Sequence, residues 1–192
     1  GITSYNLSTD EQGVATSYYW LKEALRYQTP KAVVLECYFC FPYYVDEPLN
    51  SDETATRKAF DFMKWSPVKA EAVKTICELD ENQNVWSYYF PHLRYHERWL
   101  WEGFDRNDYR KMAARSELKG YSPLRFYLGE KGEGFEPHDM GSDAGCADMA
   151  PLMREYLDKI NDLCKENEIT LILTITPAVS ANVEMCKAVQ AY

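Results

Sequence analysis

Few residues in this chain could carry nucleophilic chemistry, and they form no familiar motif. The histidines are His92, His96 and His138, and no serine lies in a Gly-x-Ser-x-Gly elbow. The Gly-Ser-Asp tripeptide at 141–143 has suitable residue types, but no predicted strand precedes it, and its Gly- and Asp-rich surroundings predict a loop. Nucleophilic catalysis needs a hydroxyl, a base and donors for the developing oxyanion, and we predict no complete set within these 192 residues.

The spacing of His92 and His96 places both side chains on one face of a helix, as in helices that bind zinc. In such helices Glu follows the first His, whereas Leu93 follows His92 here, so we predict no metal site. Arg94 and Trp99 form a polar and aromatic patch with His96. This patch either lines a sugar or acyl cleft as part of a lid, or forms a helix–helix contact, which is the commoner case.

The six cysteines include one Cys-x-x-Cys pair, Cys37 and Cys40. A zinc site would need a second pair at similar spacing, and the sequence has none. The remaining cysteines are scattered through apolar segments: Cys77, Cys146, Cys164 and Cys186. We therefore expect buried free thiols, and a redox or metal-binding pair at 37 and 40 is the alternative.

A strand within residues 31–39, KAVVLECYF, organises the first part of the chain. Its Val-Val-Leu run does not alternate with polar residues, which predicts a strand buried on both faces. A helix over 15–28 precedes it, and a further strand over 3–7 precedes that helix.

The predicted helix over 15–28 has an apolar face at helical spacing. On this pattern Lys22, Glu23 and Arg26 are predicted to face solvent. Ser, Thr and Asp at 8–10 are expected to cap its N-terminus.

The same pattern recurs near the end of the chain, where a helix over 149–167 leads to a strand over 169–176. A last helix begins at Ser180. Between the halves lies a predicted helical and loop insertion, 42–148, within a single domain, 1–192. Its predicted elements are helices over 53–64 and 67–79, an aromatic helix over 85–101 interrupted by Pro91, a mixed and charged stretch over 104–118 and a loop over 120–147.

This order predicts an α/β fold, a three-layer sandwich with a short parallel sheet. Sites on such sheets gather at the carboxyl ends of the strands, which makes Ser8, Glu36 and Thr176 the strand-end candidates. Gln12 and Tyr38 are candidates for lining the substrate, together with Arg94, His96 and Trp99 of the patch described above. Glu36 is a lone carboxylate in an apolar strand, so it either lines the strand end or pairs with a buried arginine.

Five segments carry a resemblance to a known family: SYNLSTDEQ, SYYWLKEALRYQTPKAVVLECYF, WSYYFPHLRYHERW, KGY and LILTITP. Together they resemble an SGNH (GDSL-type) hydrolase-like domain of bacterial cell-surface proteins, related to the alginate O-acetyltransferase domain. The resemblance covers most of the chain. It implies an SGNH/flavodoxin-like fold that is truncated, because the family's first strand would precede Gly1.

The resemblance also implies a function. The family's serine nucleophile would precede Gly1 and its Asp-x-x-His motif would follow Tyr192, so the chain is expected to be the inactive middle portion of an esterase or O-acetyltransferase. Ser8 stands where the family usually has an oxyanion-hole glycine. The expected partner is an acylated cell-surface polysaccharide or acyl donor, at an extracytoplasmic location, with a membrane anchor in the full-length protein. The alternative is a non-catalytic glycan-binding or assembly domain.

The composition of the chain also indicates which classes of partner are disfavoured. The net charge is −9 and the pI about 4.9, without a stripe of Lys and Arg, which disfavours nucleic acid. The acidic loop STDEQG lacks the glycines that let a backbone approach phosphate, so a nucleotide-binding domain is the weaker interpretation, and no cofactor is predicted. An unpaired sheet edge could support a dimer.

Overall fold

The computed structural model describes residues 3–9, 11–42, 47–95, 148–176 and 183–192. Within these ranges the chain is mixed α/β, with seven α-helices, one 3-10 helix and a two-stranded sheet. In chain order the elements are α1 (Val14–Ala24), β1 (Ala32–Glu36), a 3-10 helix (Tyr38–Cys40), α2 (Glu53–Phe62), α3 (Pro67–Leu79), α4 (Val85–Tyr89), α5 (His92–Tyr95), α6 (Pro151–Glu166), β2 (Thr170–Thr174) and α7 (Val183–Ala191).

Strands β1 and β2 are parallel, which confirms their predicted relation. Ala32 lies opposite Thr170, and Glu36 lies opposite Thr174. The Cys37 amide extends the ladder by donating to the Thr174 carbonyl at 2.8 Å. The Thr174 hydroxyl donates to the Leu35 carbonyl at 3.3 Å, across 139 positions of sequence.

The prediction that β1 is buried on both faces is wrong. Leu35 is 8% exposed, but its neighbour Val34 is 66% exposed, and Ile172, the partner of Val34 across the ladder, is 44% exposed. Successive side chains of a strand point to opposite faces, so one face of the pair packs inward and the other meets solvent. A run of apolar residues does not by itself reveal this difference.

The predicted strand over 3–7 is also wrong. These residues have no regular secondary structure, and all of them are exposed. The sheet in the described part of the chain therefore has two strands, not three. A β-favouring composition does not make a strand unless a neighbouring strand offers hydrogen bonds, and β-propensity depends strongly on that context.

Helix α1 begins at Val14 with Gly13 at its N-cap, and no side chain caps it, so the predicted cap at 8–10 is wrong. A Cβ at Gly13 would lie 2.9 Å from the Leu49 carbonyl oxygen, too close for any residue except glycine. The approach of the 47–52 segment thus fixes the start of the helix. The helix ends at Ala24, four residues before the predicted end, and a turn completes the segment.

The prediction that Glu23 faces solvent is wrong as well, because this residue is 5% exposed. Its carboxylate accepts hydrogen bonds from the Arg26 guanidinium at 2.8 Å and from the Ser66 hydroxyl at 2.7 Å. Arg26, predicted on the same face, is exposed. These bonds satisfy the buried charge.

Helices α2 and α3 confirm the predictions from their capping residues. Asp52 caps α2 by accepting from the Ala55 amide at 2.5 Å, and the helix ends two residues before the predicted Lys64. Ser66 caps α3 by accepting from the Lys69 amide at 3.0 Å, with Pro67 at the first helical position.

Helix α6 supplies much of the core beside β2 and α1. It begins at Pro151, two residues after the predicted start, and its fully buried residues recur at helical spacing. They are Met153, Tyr156, Leu157, Ile160 and Cys164. The chain then turns at Glu168, whose φ of 57° lies in the left-handed region, and enters β2.

The described residues fall into two compact units. Residues 3–7 and 84–95 belong to one, and all other described residues belong to the other. In the first unit the predicted aromatic helix is two short helices, α4 and α5, separated at Phe90-Pro91. Helices α2 and α3 lie in the unit that contains the sheet. The single domain with a 42–148 insertion stays a prediction, and its segments 104–118 and 120–147 lie outside the described residues.

Candidate functional site

Two strand-end candidates, Glu36 and Thr176, meet at the carboxyl edge of the sheet. The same Glu36 oxygen, Oε2, accepts hydrogen bonds from the Thr176 amide, at 2.9 Å, and from the Thr176 hydroxyl. The second oxygen accepts from the Tyr38 amide at 3.0 Å. The carboxyl ends of parallel strands lie at one edge, so residues 140 positions apart in sequence come together there.

These contacts decide between the two interpretations of Glu36. Its carboxylate lines the strand end, since the three hydrogen bonds above come from Tyr38 and Thr176. The buried arginine of this unit, Arg57, is 2% exposed and pairs with Asp61 at 3.0 Å instead. Sequence periodicity did not predict the burial of Arg57, because a charged residue on a helix is normally expected to face solvent. The ion pair with Asp61, four residues later, was the available signal.

The arrangement defines what the strand-end cluster of Glu36, Tyr38 and Thr176 can do. Both hydrogen-bond donors of Thr176 point at Glu36, so here they hold the strand ends together instead of binding an oxyanion. The Glu36 carboxylate fixes the backbone on which Tyr38 begins the 3-10 helix. Tyr38 is half-buried, and its ring meets Phe39 edge-on at 5.3 Å between centroids. The cluster thus places an aromatic ring beside hydrogen-bonded polar groups at the sheet edge.

The Cys-x-x-Cys pair follows directly on this cluster. Cys37 and Cys40 are free thiols with 0% exposure, and the Cys40 amide donates to the Cys37 carbonyl at 3.0 Å. The Cys37 thiol donates to the Leu35 carbonyl at 3.7 Å. Interaction with the Cys40 thiol lowers the pKa of Cys37, although burial opposes it, while interaction with Cys37 and burial raise the pKa of Cys40.

The other described cysteines match the expectation of buried free thiols only in part. Cys164 is buried, and burial raises its pKa. Cys77 is half-buried, and burial raises its pKa to about 11. Cys186 is exposed on α7, contrary to the expectation. Cys146 lies outside the described residues.

The third strand-end candidate, Ser8, is exposed in the irregular segment before α1. Gln12, a candidate for lining the substrate, accepts from the Thr9 amide at 2.9 Å and donates to the Ser17 hydroxyl at 3.0 Å. The Gln12 side-chain amide therefore connects this segment, through its oxygen, to α1, through its nitrogen.

The remaining candidates belong to the aromatic segment. Arg94 is exposed on α5, two residues after His92, which is also exposed. His96 and Trp99 lie outside the described residues, as do His138 and the tripeptide at 141–143. Trp86 and Tyr89 of the neighbouring α4 are exposed, as is Phe90 at its C-cap, and the Trp86 and Phe90 rings stack with centroids 6.3 Å apart.

Over the described ranges, no three His, Cys, Asp or Glu side chains are arranged to hold a metal ion. No helix in the part of the chain that the structure describes is both long and apolar enough to cross a bilayer. A scan against protein-family models and searches of curated proteins and solved structures found no match to the chain.

Proposed function

We propose that this chain is the α/β portion of an esterase or O-acetyltransferase that acts on an acylated polysaccharide at the cell surface. The observation that supports this proposal is the strand-end cluster of Glu36, Tyr38 and Thr176. It lies at the carboxyl edge of two parallel strands, where open α/β sheets place their ligands.

In this proposal the fold is the three-layer SGNH arrangement, and the serine nucleophile and the Asp-x-x-His pair come from outside these 192 residues. The serine attacks the acyl carbonyl while the histidine accepts its proton. The acyl-enzyme then transfers the acyl group to a sugar hydroxyl or to water. Within the unit that contains the sheet, the Ser8 amide is assigned to the oxyanion, and Gln12 and Tyr38 are assigned to the substrate.

Glu36 has a positioning role in this scheme. Its hydrogen bonds join the end of β1 to the residue two positions after β2. Loss of the carboxylate would release Thr176 and the Tyr38 turn together. Because small displacements in an active site lower rates strongly, we expect Glu36→Gln to lower kcat by about 10- to 100-fold.

The test is hydrolysis of p-nitrophenyl acetate by the full-length protein, compared with a variant whose nucleophilic serine is alanine. Full-length protein should hydrolyse the ester and the serine variant should not. Glu155→Gln is the matched control for Glu36→Gln, because Glu155 is an exposed carboxylate on α6 paired with Lys159. Equal hydrolysis by the full-length protein and its serine variant would overturn the proposal.

The exposed aromatic cluster on α4 favours a second candidate, a non-catalytic glycan-binding domain. Trp86 is 63% and Phe90 57% exposed, and their stacked rings form an exposed apolar surface. Under this alternative Trp86→Ala should weaken binding of acetylated polysaccharide in calorimetric titration. Trp65→Ala, at another exposed tryptophan, should leave binding unchanged. Binding that survives Trp86→Ala would rule out this surface.

A further inference from the structure

The turn from Cys37 to Cys40 places two buried free cysteines at its two ends. The bond from the Cys40 amide to the Cys37 carbonyl, 3.0 Å long, closes a turn of four residues. The first and last Cα atoms of such a turn lie less than about 7 Å apart. A disulfide spans Cα separations of about 4.4–6.8 Å, so the backbone is already close to the geometry of a disulfide.

Neighbouring elements hold this turn in place. The Cys37 amide donates to the Thr174 carbonyl at 2.8 Å, and the Cys40 carbonyl accepts from the Ala150 amide at 2.8 Å. The Asn50 side-chain amide donates to the Phe39 carbonyl at 2.8 Å and also to the Phe41 carbonyl. Both cysteines therefore lie on a backbone that is fixed at both ends.

We propose that Cys37 and Cys40 form a reversible dithiol–disulfide pair that exchanges with low-molecular-weight disulfides of the glutathione type. The inference rests on the geometry of the turn and does not depend on the proposed function.

Exchange would proceed in two steps. The Cys37 thiolate attacks one sulfur of the small disulfide, forming a mixed disulfide and releasing one thiolate, which takes up the proton lost by Cys37. The Cys40 sulfur, after losing its proton, attacks Cys37 and releases the second thiolate, which takes up that proton. Two protein thiols are oxidised to one disulfide, and one small disulfide is reduced to two thiols.

The order of attack follows from the opposite pKa shifts of the two thiols. Interaction with Cys40 lowers the pKa of Cys37 and favours its thiolate, whereas interaction with Cys37 and burial raise the pKa of Cys40. Cys164 differs because burial raises its pKa. Both sulfurs of the pair have 0% exposure, so attack requires a local opening of the turn. The pair should therefore react more slowly than the exposed Cys186.

The test equilibrates the folded protein with graded mixtures of reduced and oxidised glutathione, blocks free thiols with N-ethylmaleimide in acid, and maps tryptic peptides by mass spectrometry. Cleavage after Lys31 and Arg57 yields a peptide, 32–57, that contains Cys37 and Cys40 as its only cysteines. In oxidising mixtures this peptide should lack two hydrogens and carry no maleimide. After treatment with dithiothreitol it should carry two maleimides.

Two variants separate the pair from general thiol oxidation. Cys40→Ser should leave Cys37 as a mixed disulfide with glutathione, because the resolving thiol is gone. Cys164→Ser, at a buried cysteine on α6, should leave the 37–40 disulfide unchanged. If peptide 32–57 of the wild-type protein carries two maleimides, or bound glutathione, in every mixture, the proposal is wrong. That result needs no variant to fold.

Discussion

At the residue scale, the buried carboxylate of Glu23 links α1 to the start of α3. Arg26 and Ser66 both donate to it, and Ser66 also caps α3 through the Lys69 amide. Burial tends to raise the pKa of Glu23, but the hydrogen bonds from Ser66 and Arg26 outweigh it, so the pKa is lowered. The ionised form therefore stabilises the fold.

We expect Glu23→Gln to lower the free energy of unfolding at pH 7 by about 1–3 kcal/mol, because buried charged hydrogen bonds are lost. The pKa is lower in the folded than in the unfolded chain. The contribution is therefore present above the ordinary pKa of 4.5 and disappears as the pH falls through the lower folded value. Urea unfolding of both proteins at several pH values measures this.

The control is Glu71→Gln, since Glu71 is 49% exposed and pairs with Lys22 at the surface. It should change stability by about 1 kcal/mol or less. A wild-type advantage over Glu23→Gln that persists unchanged well below pH 4.5 would contradict the assigned role of the carboxylate.

At the element scale, β1 has one inward and one outward face. Leu35 packs inward, whereas Val34 and its partner Ile172 present apolar side chains to solvent. We expect Leu35→Ala to lower the free energy of unfolding by about 2–5 kcal/mol, since it leaves a cavity. Val34→Ala should cost about 1 kcal/mol or less, as expected for an exposed strand position. Urea unfolding of the two variants compares these adjacent sites directly.

Equal losses in the two variants would mean that the Val34 face is covered in solution. In that case sedimentation should detect association that Val34→Lys abolishes, as expected when charge protects an exposed strand.

The starts of α2 and α3 and the pairing of the strands could be predicted from sequence because they depend on neighbouring residues and on simple topology. Ser66-Pro67 specified the start of α3 through a local hydrogen bond and a tolerated proline. Glu36 and Thr176 were chosen from strand ends, and parallel pairing brought them together. Glu23 was placed wrongly because its partner Ser66 lies 43 positions away. The strand over 3–7 failed because strand formation needs a partner that local pattern does not supply.

At the scale of the whole molecule, the net negative charge disfavours binding to nucleic acid. The chain has 30 Asp and Glu against 21 Lys and Arg, a net charge of −9. Binding to nucleic acid depends on cations that displace counterions from phosphates. We therefore expect no retardation of duplex DNA in a gel-shift assay at physiological salt, up to about 10 μM protein. Retardation that weakens as salt increases would contradict this expectation.

The hydrogen bond from the Thr174 hydroxyl to the Leu35 carbonyl, across 139 positions, has a kinetic consequence. The ladder between β1 and β2 can form only after a very long loop has closed, and contacts of such high sequence separation slow folding. During translation, β1 emerges well before its partner strand has been synthesised. Helices α1, α2 and α3 can assemble early from local contacts, whereas the sheet, and the strand-end cluster with it, should be among the last parts of the molecule to form.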